Sequence, residues 1–170
     1  MVTLIKLVVR VLLLAVLAWF GYATFVHVAN AFAISDRLDT TGSLWAASDQ
    51  ARKAAAGGNG GLYAPNSKNP DTHGWNPIDS YVDDGTTLLL TTSYLTCARP
   101  KLVADTRVSQ DVVVVIVHED IPWLPTKDRF FPPKCAEPHA AVTVRAVLPS
   151  SVNGKVVVDG TTGASIQYKP

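Results

Sequence analysis

The side chains that could do chemistry in this chain are few. Histidines stand at positions 27, 73, 118 and 139, and cysteines at 97 and 135. His118-Glu119-Asp120 sets an imidazole beside two carboxyls, the raw material of a general base. The three follow an apolar run that reads as a strand. Successive strand side chains point to opposite faces, so His118 and Glu119 do not converge locally. No H-E-x-x-H or other close His pair is present to hold a catalytic zinc ion. Asp71, Asp79, Asp83 and Asp84 offer oxygen atoms to calcium, but the EF-hand spacing is missing. They sit among turn signals, where Asp commonly serves the backbone. There is no G-x-S-x-G elbow, and the glycines at 57, 58, 60 and 61 lack the Lys and Ser/Thr of a phosphate loop. The sequence therefore names no catalytic residue, no metal ligand and no cofactor. An envelope hydrolase or metal-dependent enzyme built on His118, Glu119 and neighbouring Asp residues is the weaker alternative to a binding protein.

Cys97 and Cys135 form an even pair, which in an exported chain reads as a structural disulfide. Closing a loop of about 39 residues would constrain the unfolded chain by roughly 4 kcal/mol in the entropy model. Their separation and the lack of C-x-x-C argue against a redox pair. Just before Cys135 lies Ile121-Pro122-Trp123-Leu124-Pro125, then Phe130-Phe131-Pro132-Pro133. Proline stiffens this loop and keeps it out of a sheet interior. Trp123, Phe130 and Phe131 are candidate contacts for a protein partner, because aromatic anchors dominate interface energetics. The same rings could instead fold back over the sheet, or lean toward a bilayer.

These groups must be positioned by elements that begin with a long apolar segment. Lys6 and Arg10 are the only charges in the first 35 residues, and residues 11–33 are almost wholly apolar or small. About 22 helical residues reach about 33 Å, enough to cross a hydrocarbon core of roughly 30 Å. The positive-inside rule keeps Lys6 and Arg10 cytoplasmic and delivers Asp36 onward to the far side. A signal peptide cut near Ala31 or Ala33 is the competing reading, but its apolar region normally runs only about 7–15 residues. The expected location is thus the cell membrane, single-pass, with residues 11–33 in the lipid bilayer. Secretion after cleavage is the alternative.

The net charge of +1 among 170 residues argues against a phosphate-backbone binder, so no nucleic acid is expected. Hydrophobic residues at 48% and charged ones at 17% argue against a disordered chain. Residues 36–86 are rich in Ala, Gly, Asn and Asp. Ser43 reads as the N-cap of a short Ala-rich helix over 44–56, ended by Gly57-Gly58, with a Gly/Asn/Pro-rich linker after it. Strands are expected over 87–96, 102–109, 112–119, 141–148 and 155–159, where Val, Thr, Leu and Ile gather. The solid apolar run 112–117 reads as a central strand covered on both faces, with the 44–56 helix as its cover. Val142, Val144 and Ala146 should share one face, and Thr143, Arg145 and Val147 the other. Short breaks favour antiparallel neighbours. The expected fold is mainly β: a small antiparallel β-sandwich or curled sheet over 87–170. A transmembrane signal anchor in 1–35 and the helix and linker of 36–86 precede it.

Cys97-Ala98-Arg99-Pro100, residues 108–117, Cys135, residues 141–149 and Val157-Val158-Asp159-Gly160-Thr161-Thr162-Gly163 together resemble a class of small proteins. These are exported or membrane-anchored β-domain proteins of high-GC Gram-positive bacteria. The resemblance covers about 75 residues and implies location and fold. It implies no activity, and this chain carries a longer Pro-rich insertion before Cys135. The expected function is a membrane-anchored extracytoplasmic binding or accessory module without catalysis. A structural anchor subunit of a membrane complex is the alternative.

Overall fold

The computed structural model describes residues 2–47, 74–95, 101–121 and 139–170. Its first element is one unbroken helix, α1, over Val2–Ala47. Among the described residues eight strands follow: β1 (Trp75–Asn76), β2 (Ile78–Asp83), β3 (Thr87–Leu95), β4 (Leu102–Val108), β5 (Val112–Glu119), β6 (His139–Val147), β7 (Val156–Asp159) and β8 (Gln167–Tyr168). The chain is mainly β behind a long apolar helix, as its composition predicts.

Two four-stranded sheets face each other. In the first, β5 is central, with β4 antiparallel on one side. The other side is shared by β7, parallel along 112–115, and by β1, antiparallel at 117–118. In the second the order is β6-β3-β2-β8. The parallel pairs β5/β7 and β2/β8 depart from the antiparallel expectation. In each pair the chain visits other strands in between, so the long crossover a parallel pair needs is available.

Alternation within β5 builds a three-layer molecule. Val113, Val115 and Val117 point into the core between the sheets, meeting Leu88, Leu90, Val144 and Ala146. Val112, Val114 and Ile116 point the other way, onto Ile34, Leu38 and Trp45 of α1. The solid apolar run is therefore a central strand buried on both faces, as its composition requires. In β6, Val144 and Ala146 are buried while Thr143, Arg145 and Val147 are exposed, which is the expected division.

The cover over β5 differs from the expected one. Ser43 does not cap a new helix; it lies within α1, and residues 44–47 are that helix's last turn. No Pro occurs in 1–47 and the only glycines there, Gly21 and Gly42, are isolated, so nothing breaks the helix between its apolar half and its sheet-packing half. Ile34, Leu38, Thr41 and Trp45 follow the i, i+4, i+7, i+11 spacing of one helical face, and all four are buried. Residues 48–56 lie outside the described residues.

A second difference concerns 75–83, where turn dipeptides suggest loop and the structure has β1 and β2. Pro77 falls between the two strands, where the chain passes from one sheet to the other. Asp83-Asp84-Gly85 is the β2–β3 hairpin, with Asp84 and Thr87 exchanging backbone hydrogen bonds and Gly85 at a φ of 72°. The turn signals are real, but they punctuate strands.

Two glycines test the close packing of the helix, sheet and β7 turn. A Cβ at Gly160 would stand 2.5 Å from Ile116 Cγ1, whereas one at Gly42 would meet Val114 Cγ2 at an ordinary 3.7 Å. Gly160→Ala should cost about 1–3 kcal/mol by overpacking. Gly42→Ala should add about 0.5–1 kcal/mol, because Ala is the better helix residue and finds room. Chemical denaturation of the two variants checks the opposite signs.

Candidate functional site at the end of the sandwich beside the apolar helix

Among the described residues, the polar groups singled out in the sequence do not gather into one pocket. His118 ends the helix-facing row of β5, and Glu119 turns to solvent. Glu119 gives its backbone N–H to the Gly74 carbonyl at 2.9 Å, and its side chain lies over that glycine. The partner His118 does find is Asp105 on β4, which the sequence reading passed over. The β4–β5 hairpin pairs Val108 with Val113, so Asp105 stands opposite Ile116 and diagonal to His118 on one face. That register follows from the short turn at Ser109-Gln110-Asp111, and counting back along both strands would have found the pair.

The His118 ring is bound at both ends. Nε2 lies 2.7 Å from Asp105 Oδ2, and Nδ1 lies 2.9 Å from the Glu119 carbonyl oxygen. Both partners only accept, so the doubly protonated imidazolium satisfies both bonds. Burial pushes the His118 pKa down, but the Asp105 hydrogen bond, the Glu119 carbonyl and the charges of Asp105 and Asp120 outweigh it. The net direction is up. A ring whose two nitrogens are both engaged as donors has no lone pair to offer as a base. This geometry makes His118 a clamp between β4 and β5.

Nearby, Lys101 donates to Asp120, and the Lys101 backbone carbonyl accepts from the Asp120 N–H. The Lys101 hydrogen bond is the largest cause holding the Asp120 carboxyl below its ordinary pKa, and His27 on α1 adds to the same direction. Farther along the helix, Arg107 Nε lies 3.2 Å from Asp39 Oδ1, with Ser35 Oγ 3.4 Å from Nη2. Both ends of the Arg107–Asp39 pair are about half exposed, so it fixes orientation more than it stabilises. Arg37 is better placed, donating from Nε to the Gly160 carbonyl at 2.7 Å and from Nη2 to the Thr161 carbonyl at 3.2 Å. These contacts join the helix to the β7 turn.

Asp79, Asp83 and Asp84 spread along β2 and its turn. Among the described residues, no three His, Cys, Asp or Glu converge on a metal position. Cys97, Cys135, Trp123, Phe130, Phe131, His73 and Asp71 all lie outside the described residues. The buried acid that sequence reading overlooked is Asp159, which organises the turn after β7.

The His118 pKa direction yields a pH test. With the folded pKa raised, stability from the clamp is complete below the unfolded value of about 6.5 and is lost as pH rises through the folded pKa. Thermal melts across pH 5–9 should show wild type losing its advantage over His118→Gln as pH rises through that window. A parallel pair of profiles would remove the clamp from the account.

Comparison of the chain with family models, with curated proteins and with solved structures found no match, so the reading of its function rests on its own residues.

Proposed function

We propose that this chain is a single-pass membrane protein whose β domain lies on the extracytoplasmic side and serves as a non-catalytic binding or accessory module. One observation carries the reading: α1 is a single helix with two different halves. Large apolar side chains from Leu4 to Phe32 are exposed, and none of its most apolar window is buried against protein. A helix apolar on every side requires lipid or other apolar surface around it. The half from Ile34 onward is buried on β5. The core helix of a soluble domain would be covered along its apolar length, and this one is not.

The same continuity favours an anchor that is kept. Both candidate cleavage points, Ala31 and Ala33, lie inside α1, and Ala33 packs against the helix–sheet core. A protease would have to open that turn first. Lys6 and Arg10 support an inward amino terminus, and Trp123, Phe130 and Phe131 remain the proposed protein-binding contacts. The resemblance to small anchored β-domain proteins of high-GC Gram-positive bacteria agrees with this location.

Intact mass of the membrane-extracted protein, taken without reductant, tests the anchor and the thiols together. The uncut mass less two protons is expected. A mass beginning after Ala31 or Ala33 would remove the anchor, and two free thiols would argue against an oxidising compartment. Trp123→Ala should abolish partner capture while leaving the melting temperature unchanged. A purely structural anchor subunit would instead lose its complex when residues 4–30 are exchanged for an unrelated span.

A further inference from the structure

The helix and β5 run antiparallel along each other, and this sets the height of the domain. Gly42 lies against Val114, and toward the helix's amino end Arg37 donates to the carbonyl of Gly160, which packs on Ile116. The helical rise from 37 to 42 is about 7.5 Å, and the strand rise from 114 to 116 is about 7 Å, so the two ladders match; carried on at those rises, strand position 120 lies level with about helix position 28. Arg37 on the Gly160 and Thr161 carbonyls, Asp39 on Arg107 and the buried Trp45 hold the domain at this register.

The apolar half of the same helix fixes the bilayer. Arg10 is its last charge before Asp36. About 26 Å of helix separates Arg10 from His27, and about 30 Å separates it from Asn30. A hydrocarbon layer of roughly 30 Å beginning near Arg10 therefore ends around residues 27–30, with a headgroup layer of some 5–7 Å beyond. The domain begins at that level, with no linker between.

We propose that the end of the sandwich carrying Lys101, Glu119 and Asp120 rests in the phospholipid headgroup layer on the domain's side of the membrane. The contact is imposed by the rigid helix and not by charge. Among the described residues of this rim, Lys101 is paired with Asp120 and His118 with Asp105, so these form no basic patch to attract anionic lipid. The opposite end, at Gln110 and the Asn153-Gly154 turn, stands in water. Lys155 Nζ ties that turn to the Ser109 and Gln110 carbonyls, far along β5 from Asp120. The inference rests on α1 being embedded in a bilayer, and its test separates the two.

The full chain, carrying a benzophenone amino acid at Leu17, Glu119 or Gln110, is reconstituted in phosphatidylcholine vesicles and photolysed. Lipid adducts are expected from Leu17 and Glu119 and not from Gln110. Adducts at Leu17 without any at Glu119 would overturn the headgroup contact and leave the membrane helix standing. No adduct at Leu17 would overturn both. Adducts at Gln110 matching those at Glu119 would overturn the proposed orientation. The Glu119 yield should not change with added phosphatidylglycerol or with 0.5 M salt; a collapse in salt would mean charge holds the contact. A Gly-Gly-Ser-Gly-Gly-Ser insertion after Ala31 should lower the Glu119 yield several-fold at an unchanged melting temperature. An undiminished yield would show that the helix does not set the height.

Discussion

Trp45→Ala should lower the unfolding free energy by about 3–5 kcal/mol, the range for removing a large buried aromatic. Trp45 is only 1% exposed, the most buried side chain in the helix–sheet layer for its size. It sits in the cluster with Trp75, Val112, Val114, Ile116 and Val158, and truncation leaves a cavity that this tightly paired sheet cannot close. Phe32→Ala is the matching control. Phe32 is 72% exposed on the same helix, so its loss removes almost no protein contact. Thermal unfolding in detergent followed by near-ultraviolet circular dichroism should show a drop of about 10 °C or more for the first variant. The second should leave the melting temperature nearly unchanged. Equal shifts would mean that the far end of α1 does not belong to the folding unit. The comparison separates two stretches of one helix, one buried in protein core and the other an exposed apolar surface.

How far these features were legible from sequence depends on how local their causes are. The helical form of the apolar leader, the two-faced Val run of β5 and the inward face of β6 are written in composition and period, and all three appear in the structure. The helix cover departs from its local sequence signature for a physical reason. Ser43 and the Ala-rich stretch after it carry the local signature of a helix start, yet nothing in 34–42 forbids a helix, and burial of Ile34, Leu38 and Thr41 on β5 continues α1 through it. Capping preference of about 1 kcal/mol loses to the burial of a whole helical face. At the site, His118 was visible as a residue but not as one end of a pair. Its partner is fixed by strand register, which depends on one turn and on both strands together. Asp159 was hidden differently. Asp159-Gly160 reads as a turn dipeptide, and only three-dimensional closure shows that its carboxyl is enclosed rather than solvated.

That enclosure makes Asp159 the most consequential polar residue among those described. Its side chain is 2% exposed. Oδ1 accepts the Thr161 N–H at 2.8 Å, and Oδ2 accepts the Ile78 N–H at 3.3 Å and the Thr162 hydroxyl at 2.9 Å. One carboxyl thus joins the turn after β7 to the start of β2 in the facing sheet. Arg37 grips the carbonyls of the same turn from the helix side, so three layers meet here. Asp159→Ala leaves two backbone N–H groups without an acceptor, and each such buried group costs about 1–3 kcal/mol. A loss of about 3 kcal/mol or more is expected. Asp159→Asn should fall between. Its amide oxygen replaces one carboxyl oxygen, but its NH2 group cannot accept the second backbone N–H. Burial is the main cause raising the Asp159 pKa, against the lowering effect of its hydrogen bonds. With the folded pKa raised, the contribution is complete below the unfolded Asp value of about 3.9 and declines as pH rises through the folded pKa. A protonated Asp keeps an acceptor on each oxygen and sheds the buried charge. Urea denaturation should therefore show a gap between wild type and Asp159→Asn that is wider in acid than at neutral pH. A gap that widened with rising pH would mean the charged carboxylate is the form the fold prefers.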